Sequence, residues 1–221
     1  LAVDNKAEAR TALHTALDLW PEDVDALRGL GALARENSDW NALVGVLARE
    51  ANLLDGQDQV DRFREIATIW EEQIGDIAVA QDAWRKVLEH APSDADALDR
   101  LLRISRDLED WSAVVEFGTA RAASLDGQER NQLLAEIGEV QLQRLYREDE
   151  ALLLFDEASK GDAPVMEAAR HFERIHAGRG AWDKAVEGVL RQARAAEGPE
   201  RVRLLLSAAE TRLETLHDRE G

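Results

Sequence analysis

The sequence contains no cysteine, so disulfides and thiolate metal sites are excluded. Only 4 prolines occur in 221 residues, which leaves long stretches free to be helical. Lysine is scarce: of 27 basic residues only Lys6, Lys86, Lys160 and Lys184 are lysine, an arginine excess that points to a GC-rich bacterial genome. No apolar run approaches the roughly 20 residues that span a bilayer, so membrane insertion is not expected. Positive charge is itself in deficit, with 45 acids and a formal net charge of −18. Phosphate would be repelled, which argues against nucleic acid and anionic membranes as partners. A basic protein on the outer surface fits this charge, and the charge also keeps a long helical surface soluble. No signal peptide is visible and the chain starts at Leu1 rather than Met; the expected location is cytoplasmic.

What is present is helix-forming and periodic. The chain is 45% hydrophobic and 33% charged, and alanine, leucine, glutamate and arginine dominate, a bias toward helix. Trp40, Trp111 and Trp182 are 71 residues apart, and Gly56, Gly127 and Gly198 keep the same step. Around the tryptophans the copies read Asp39-Trp40-Asn41-Ala42-Leu43-Val44, Asp110-Trp111-Ser112-Ala113-Val114-Val115 and Ala181-Trp182-Asp183-Lys184-Ala185-Val186. Ala51, Ala122 and Ala193 follow in register, as do Phe63, Leu134 and Leu205, then Ile66, Ile137 and Ala208, then Ala67, Gly138 and Ala209. Matches at three- and four-residue steps mark one face of a helix. A fixed period of this length marks a stacked repeat array. We therefore expect one array over 1–221, built of units near 4–75, 76–146 and 147–217.

The breaks divide each unit into four helices, near 4–19, 22–36, 39–53 and 57–74, then 77–90, 94–107, 110–124 and 128–146, then 148–160, 164–178, 181–195 and 199–217. Pro21 and Pro92 cannot continue a helix interior. Gly56 and Gly127 suit a left-handed helix C-terminus. Ser93 with Asp96, and Ser38 or Asp39, are candidate caps. Connections this short make consecutive helices antiparallel neighbours.

One helix per unit carries a spaced pattern of small, large, small and proline: Ala9, Leu13, Ala16, Pro21, then Ala80, Trp84, Val87, Pro92, then Ala151, Phe155, Ala158 with Pro164 displaced by one. The helix before it has a large–small pair, Ile66-Ala67 and Ile137-Gly138, seen again as Leu30-Gly31. Together these resemble the tetratricopeptide repeat. The other hairpin of each unit is divergent and lacks the terminal proline. The resemblance covers almost the whole chain and implies an all-α, right-handed α-solenoid of about six antiparallel hairpins, similar to those of multi-repeat bacterial proteins. The chain opens on a second-type helix and closes on a first-type helix, so we expect it to be a piece of a longer array whose ends stack on further repeats.

Chemistry-bearing motifs are absent. His14, His90, His171, His176 and His217 do not follow the 71-residue period, and His171 and His176 are five apart, which is not a ligand spacing on one helix face. No phosphate loop, GxSxG elbow or HExxH occurs. Acidic clusters such as Asp94-Ala95-Asp96 and Glu148-Asp149-Glu150 lie at helix starts, where carboxylates complement the dipole. We expect no enzyme activity, cofactor or metal. Trp40, Trp111 and Trp182 are expected to pack inward, and Trp20, Trp70 and Trp84 to fill interhelical space.

The resemblance implies that the first helix of each hairpin lines a concave groove. Carried onto this chain, that face includes Arg28, Arg35, Arg64, Arg103, Arg106, Arg170 and Arg174. Such a row would take an acidic or carboxylate-bearing segment, helical or extended. The same arginines also have local acids at three or four residues: Asp25, Asp61, Asp99 and Glu167. The asparagines that clamp a C-terminal carboxylate in chaperone-binding relatives are missing. The expected function is a protein-interaction scaffold or adaptor; the alternative is a structural spacer or self-assembly module.

Overall fold

The computed structural model describes the backbone of residues 2–216 and the side chains of residues 5–214. Of the described residues 81% are helical and none is in a strand. The helices are α1 (Ala2–Leu19), α2 (Val24–Glu36), α3 (Trp40–Ala51), α4 (Gly56–Thr68), α5 (Ile77–His90), α6 (Ala95–Asp107), α7 (Trp111–Ala122), α8 (Gly127–Gln143), α9 (Glu148–Ala158), α10 (Met166–Gly178), α11 (Trp182–Ala195) and α12 (Gly198–Thr211). α4 runs on through a π-helical turn, Ile69–Ile74, and α12 through another, Arg212–Leu216. The twelve expected helices are all present, with ends moved by a few residues. Two compact units are divided between Ile104 and Ser105, inside α6. In the first unit α1 to α5 each pack on the next; in the second, α7 to α12 do the same. Each unit is thus an all-α succession in which helices adjacent along the chain pack together.

Local chemistry sets the ends. Asp23, Asp39, Asp76 and Asp110 each accept a backbone N–H at a helix start, at 3.0–3.2 Å. At α6 the cap is Asp94, accepting from Ala97 N at 2.9 Å, where Ser93 was expected. Ser38, Glu109 and Gly180 all have φ between +54° and +71°. The following N–H reaches back to Ala34, Ser105 and His176 at 2.9 Å in each case, closing the same helix C-terminus three times, one copy apart. Gly56, Gly127 and Gly198 share φ +56°. They do not end helices, as expected of the first two, but open α4, α8 and α12. The preceding helices stop several residues earlier, and the glycine re-aims the chain into the next one.

The expected packing column is fully buried in two copies: Ala80, Trp84 and Val87, then Ala151, Phe155 and Ala158. Ala9, Leu13 and Ala16 are only half-buried. Gly138 allows α8 and α9 to approach so closely that a Cβ there would lie 2.7 Å from the Phe155 ring. Other tryptophans depart from expectation. Trp40, Trp70 and Trp111 are half-buried, while Trp182 and Trp20 are exposed. Trp40, Trp111 and Trp182 are the first residues of their helices, and Trp20 lies past the end of α1, so none is flanked by packed helix on both sides.

Gly188 on α11 faces the backbone of α10: an added Cβ would stand 2.9 Å from Glu173 N and Cα. Backbone cannot swing aside as a flexible side chain can. Gly188→Ala should therefore destabilise by about 1–3 kcal/mol, and a thermal melt unchanged from the parent would show that the helices separate freely.

Candidate functional site: the arginine faces and the Trp40 cleft

All seven groove-candidate arginines lie on first-type helices, and each has a defined partner. In the first unit Arg28 Nε donates to Glu50 Oε1 at 3.1 Å, with Asp25 at 3.7 Å. Arg35 pairs with Glu65, and Arg103 with Glu71. Arg64 pairs with Asp61 at 2.7 Å and donates from Nε to Asp94 at 2.9 Å. In the second unit Arg106 pairs with Glu136 at 2.9 Å, and Arg170 with Glu167 at 3.1 Å and Glu200 at 3.6 Å. Arg174 donates to His171 Nδ1 at 2.7 Å. The local acids Asp25, Asp61 and Glu167 do pair as the spacing predicts. The bracing between helices was not legible locally, because Glu65, Asp94, Glu136 and Glu200 stand about one hairpin further on. A trace existed: Arg35 with Glu65 and Arg106 with Glu136 are one pair copied at the 71-residue step. Asp110, past the end of α6, serves instead as the α7 cap.

Arg35 also lines a cleft of about 380 Å³ together with Trp40, Leu43, Glu65, Ile69 and Gln73. The side of α2, the first residue of α3 and the π-helical end of α4 form its walls. One copy further on, Arg144 takes the place of Gln73, and its guanidinium sits 4.7 Å over the Trp111 ring. Trp40 and Trp111 are both half-buried, so the exchange of arginine for glutamine changes what lies beside the ring and not its depth.

Deeper charges lock helices together. Glu50 is buried between Arg28 and Arg62, whose Nε lies 3.1 Å away. Arg191, also buried, reaches Asp156 Oδ1 at 2.8 Å, Ser159 Oγ at 2.9 Å and Glu187 Oε1 at 2.5 Å, and stacks 4.2 Å over Phe172. Burial alone would raise the Asp156 carboxyl, but hydrogen bonds from Lys160 and Arg191 hold it below its usual range. Glu187 is lowered first by its hydrogen bond from Arg191.

Three histidines meet phenylalanine rings, while His14 is exposed. His90 stacks on Phe63 and His171 on Phe155, with centroids 4.9 and 4.6 Å apart, while His176 meets Phe172 edge-on. His217 lies outside the described residues. Burial first, and the Arg174 charge second, push His171 below its ordinary 6.5, against Glu139 and Glu167. Its neutral form is therefore favoured by folding, so its contribution is complete above about pH 6.5 and is lost as pH falls through the depressed value. His171→Phe should flatten the stability–pH curve in that window; an unchanged slope in urea titrations at pH 5 and 7 would contradict this.

Among the described residues no three His, Asp or Glu side chains are grouped to hold a metal ion, and no helix is long and apolar enough to cross a membrane. The described residues are all-α, twelve helices following a sequence that repeats at a 71-residue step. No family profile and no curated protein sequence matches the chain. Among solved structures it is similar to yeast Tom70, at 13% identity and a TM-score of 0.40, over 96% of this chain and 44% of that one. It is also similar to the Cut9–Hcn1 hetero-tetramer of the APC/C, at 12% identity and 0.35, over 93% of this chain and 40% of that one. The chain thus spans under half the length of either.

Proposed function

We propose that this chain is a protein-interaction scaffold, and that the α2–α4 face of its first unit holds an acidic segment of a partner. The observation that carries this is the open cleft at Trp40 with Arg35 on its wall. A half-buried aromatic beside an arginine is the composition of an interface anchor. Glu65 holds Arg35 through Nη2, and a guanidinium has five donors, so a braced Arg35 retains hydrogen bonds for a second carboxylate. An apolar side chain fits the cleft while flanking carboxylates meet Arg35 and the other groove-candidate arginines of the first unit, Arg28 and Arg64 on the same two helices and Arg103 on α6. Arg106, Arg170 and Arg174 form the corresponding arginine set of the second unit. Ordering the arginines before binding lowers the entropic cost of association.

The test is an array of acidic peptides, each carrying one leucine or aromatic residue, read by tryptophan fluorescence and calorimetry. Arg35→Gln and Trp40→Ala should each weaken the best binder about tenfold or more, a charge-assisted hydrogen bond being worth about 1.5–3 kcal/mol. Arg35→Gln should leave the melt nearly unchanged, since exposed pairs contribute roughly 0–1 kcal/mol. Affinity should fall as salt rises. Equal binding by parent and both variants would refute the assignment of this face.

A further inference from the structure

One buried carboxylate of the first unit has no acidic counterpart in the second. Glu71, its side chain 5% exposed, accepts from Trp84 Nε1 at 2.8 Å, pairs with Arg103 and lies 3.3 Å from Arg100. At the 71-residue step these four residues become Leu142, Phe155, His171 and Arg174. Three of the exchanges remove polarity together: the carboxylate goes, the indole N–H goes, and a guanidinium becomes an imidazole. Arg174 alone keeps its charge. Among the described residues it stands within ion-pair distance of no carboxylate, and its hydrogen bond runs to His171 Nδ1 at 2.7 Å. That bond uses one of five donors. Glu139 and Glu167 lie near the opposite ring nitrogen, Nε2, at 3.7 and 4.0 Å.

Arg174 borders a hollow of about 280 Å³ together with Leu142, Glu148, Ile175, Gly178 and Arg179. These residues belong to α8, α9 and α10 and the residue after α10, away from both ends of the chain. Ile175 is buried and Leu142 half-buried, so one side of the hollow is aliphatic. One copy earlier the places of Leu142 and Gly178 hold Glu71 and Asp107, and those of Glu148 and Arg179 hold Ile77 and Leu108. The step thus deletes two acids. A Cβ added at Gly178 would meet nothing within 4 Å, so that place is open. The acid that the step adds, Glu148, is taken: Arg179 Nε donates to it at 3.0 Å, and Arg179 Nη2 reaches Asp149 at 2.7 Å. Arg174 is therefore the guanidinium at the hollow that lacks a carboxylate.

We infer that this hollow binds a carboxylate on a short aliphatic stem, with the carboxylate on Arg174 and the stem against Leu142 and Ile175. It is the group that Glu71 supplies to Arg103 from within the chain. A guanidinium holds a carboxylate through two parallel N–H···O bonds, and Arg174 has free donors for both. An aliphatic wall with one convergent charge is the composition of a small-ligand site. A free short-chain acid and a glutamate side chain of another polypeptide present the same group. The hollow lies in the second unit, so its occupancy does not depend on the acidic-segment reading of the first.

Titration of the 221-residue chain with sodium valerate, and separately with the capped peptide acetyl-Ala-Ala-Glu-Ala-Ala-amide, tests it through the methyl NMR signals of Leu142 and Ile175. At least one of the two should shift them saturably in the millimolar range, the affinity of one exposed charge pair with a small apolar contact. Valeramide, which has the stem without the charge, should not. Arg174→Gln changes an exposed residue, so circular dichroism should match the parent while binding weakens about tenfold or more. Leu142→Glu should weaken it as far, by restoring the internal carboxylate of the earlier copy; if that variant melts early, Arg174→Gln decides. Arg35→Gln should leave the titration unchanged, which separates this site from the first-unit face. A response to valerate alone supports the site with a free acid as the source, and a response to the peptide alone supports it with a partner's glutamate. No saturable shift with either, equal shifts with valeramide, or an undiminished response in Arg174→Gln would overturn the assignment.

Discussion

Trp84→Ala should lower stability by roughly 3–5 kcal/mol, the cost of emptying a large, fully buried site. The Trp84 side chain is completely enclosed, its Nε1 donates to Glu71 Oε2 at 2.8 Å, and the Arg100 guanidinium lies 5.7 Å from its ring. The substitution removes the apolar contacts of two rings and one partner of an almost buried carboxylate. Glu71 keeps Arg100 and Arg103, so its charge stays compensated and the cavity dominates. No single groove-arginine change should cost as much. Leu13→Ala, in the same column but half-buried, should cost distinctly less. Denaturant melts giving under about 1 kcal/mol for Trp84→Ala would mean that the column is not packed as described.

Phe155→Ala should be comparably severe in the second unit, again roughly 3–5 kcal/mol. Its ring is fully buried, lies against Gly138 and stacks on His171. Because glycine has no side chain to move into the vacated space, the cavity should collapse little, which places the cost high in that range. Phe155→Leu, which keeps most of the volume, should recover much of the loss. If both variants melt alike, the ring contributes through its shape or through His171, and not through filled volume.

The helices of this chain were legible residue by residue. Helical periodicity, aspartate caps and the 71-residue step are local or strictly periodic signals, and they located all twelve helices and the column through Trp84 and Phe155. The glycines Gly56 and Gly127 were also recognised as backbone specialists, but placed at the wrong end of the loop, since a positive φ serves a helix start as readily as a stop. What sequence alone determined is therefore the all-α class, the order of hairpins and the inward face of most helices, because each follows from spacing along one helix. Only the tertiary structure decided the environment of the functional candidates. The Arg35, Arg64 and Arg106 partners come from a neighbouring hairpin. Trp40 borders a cleft with Arg35 and Gln73, while Arg144 lies over the Trp111 ring. These differences arise between copies with nearly the same pattern, because burial and charge pairing depend on which helix lies alongside, and a helix's own periodicity does not record its neighbour.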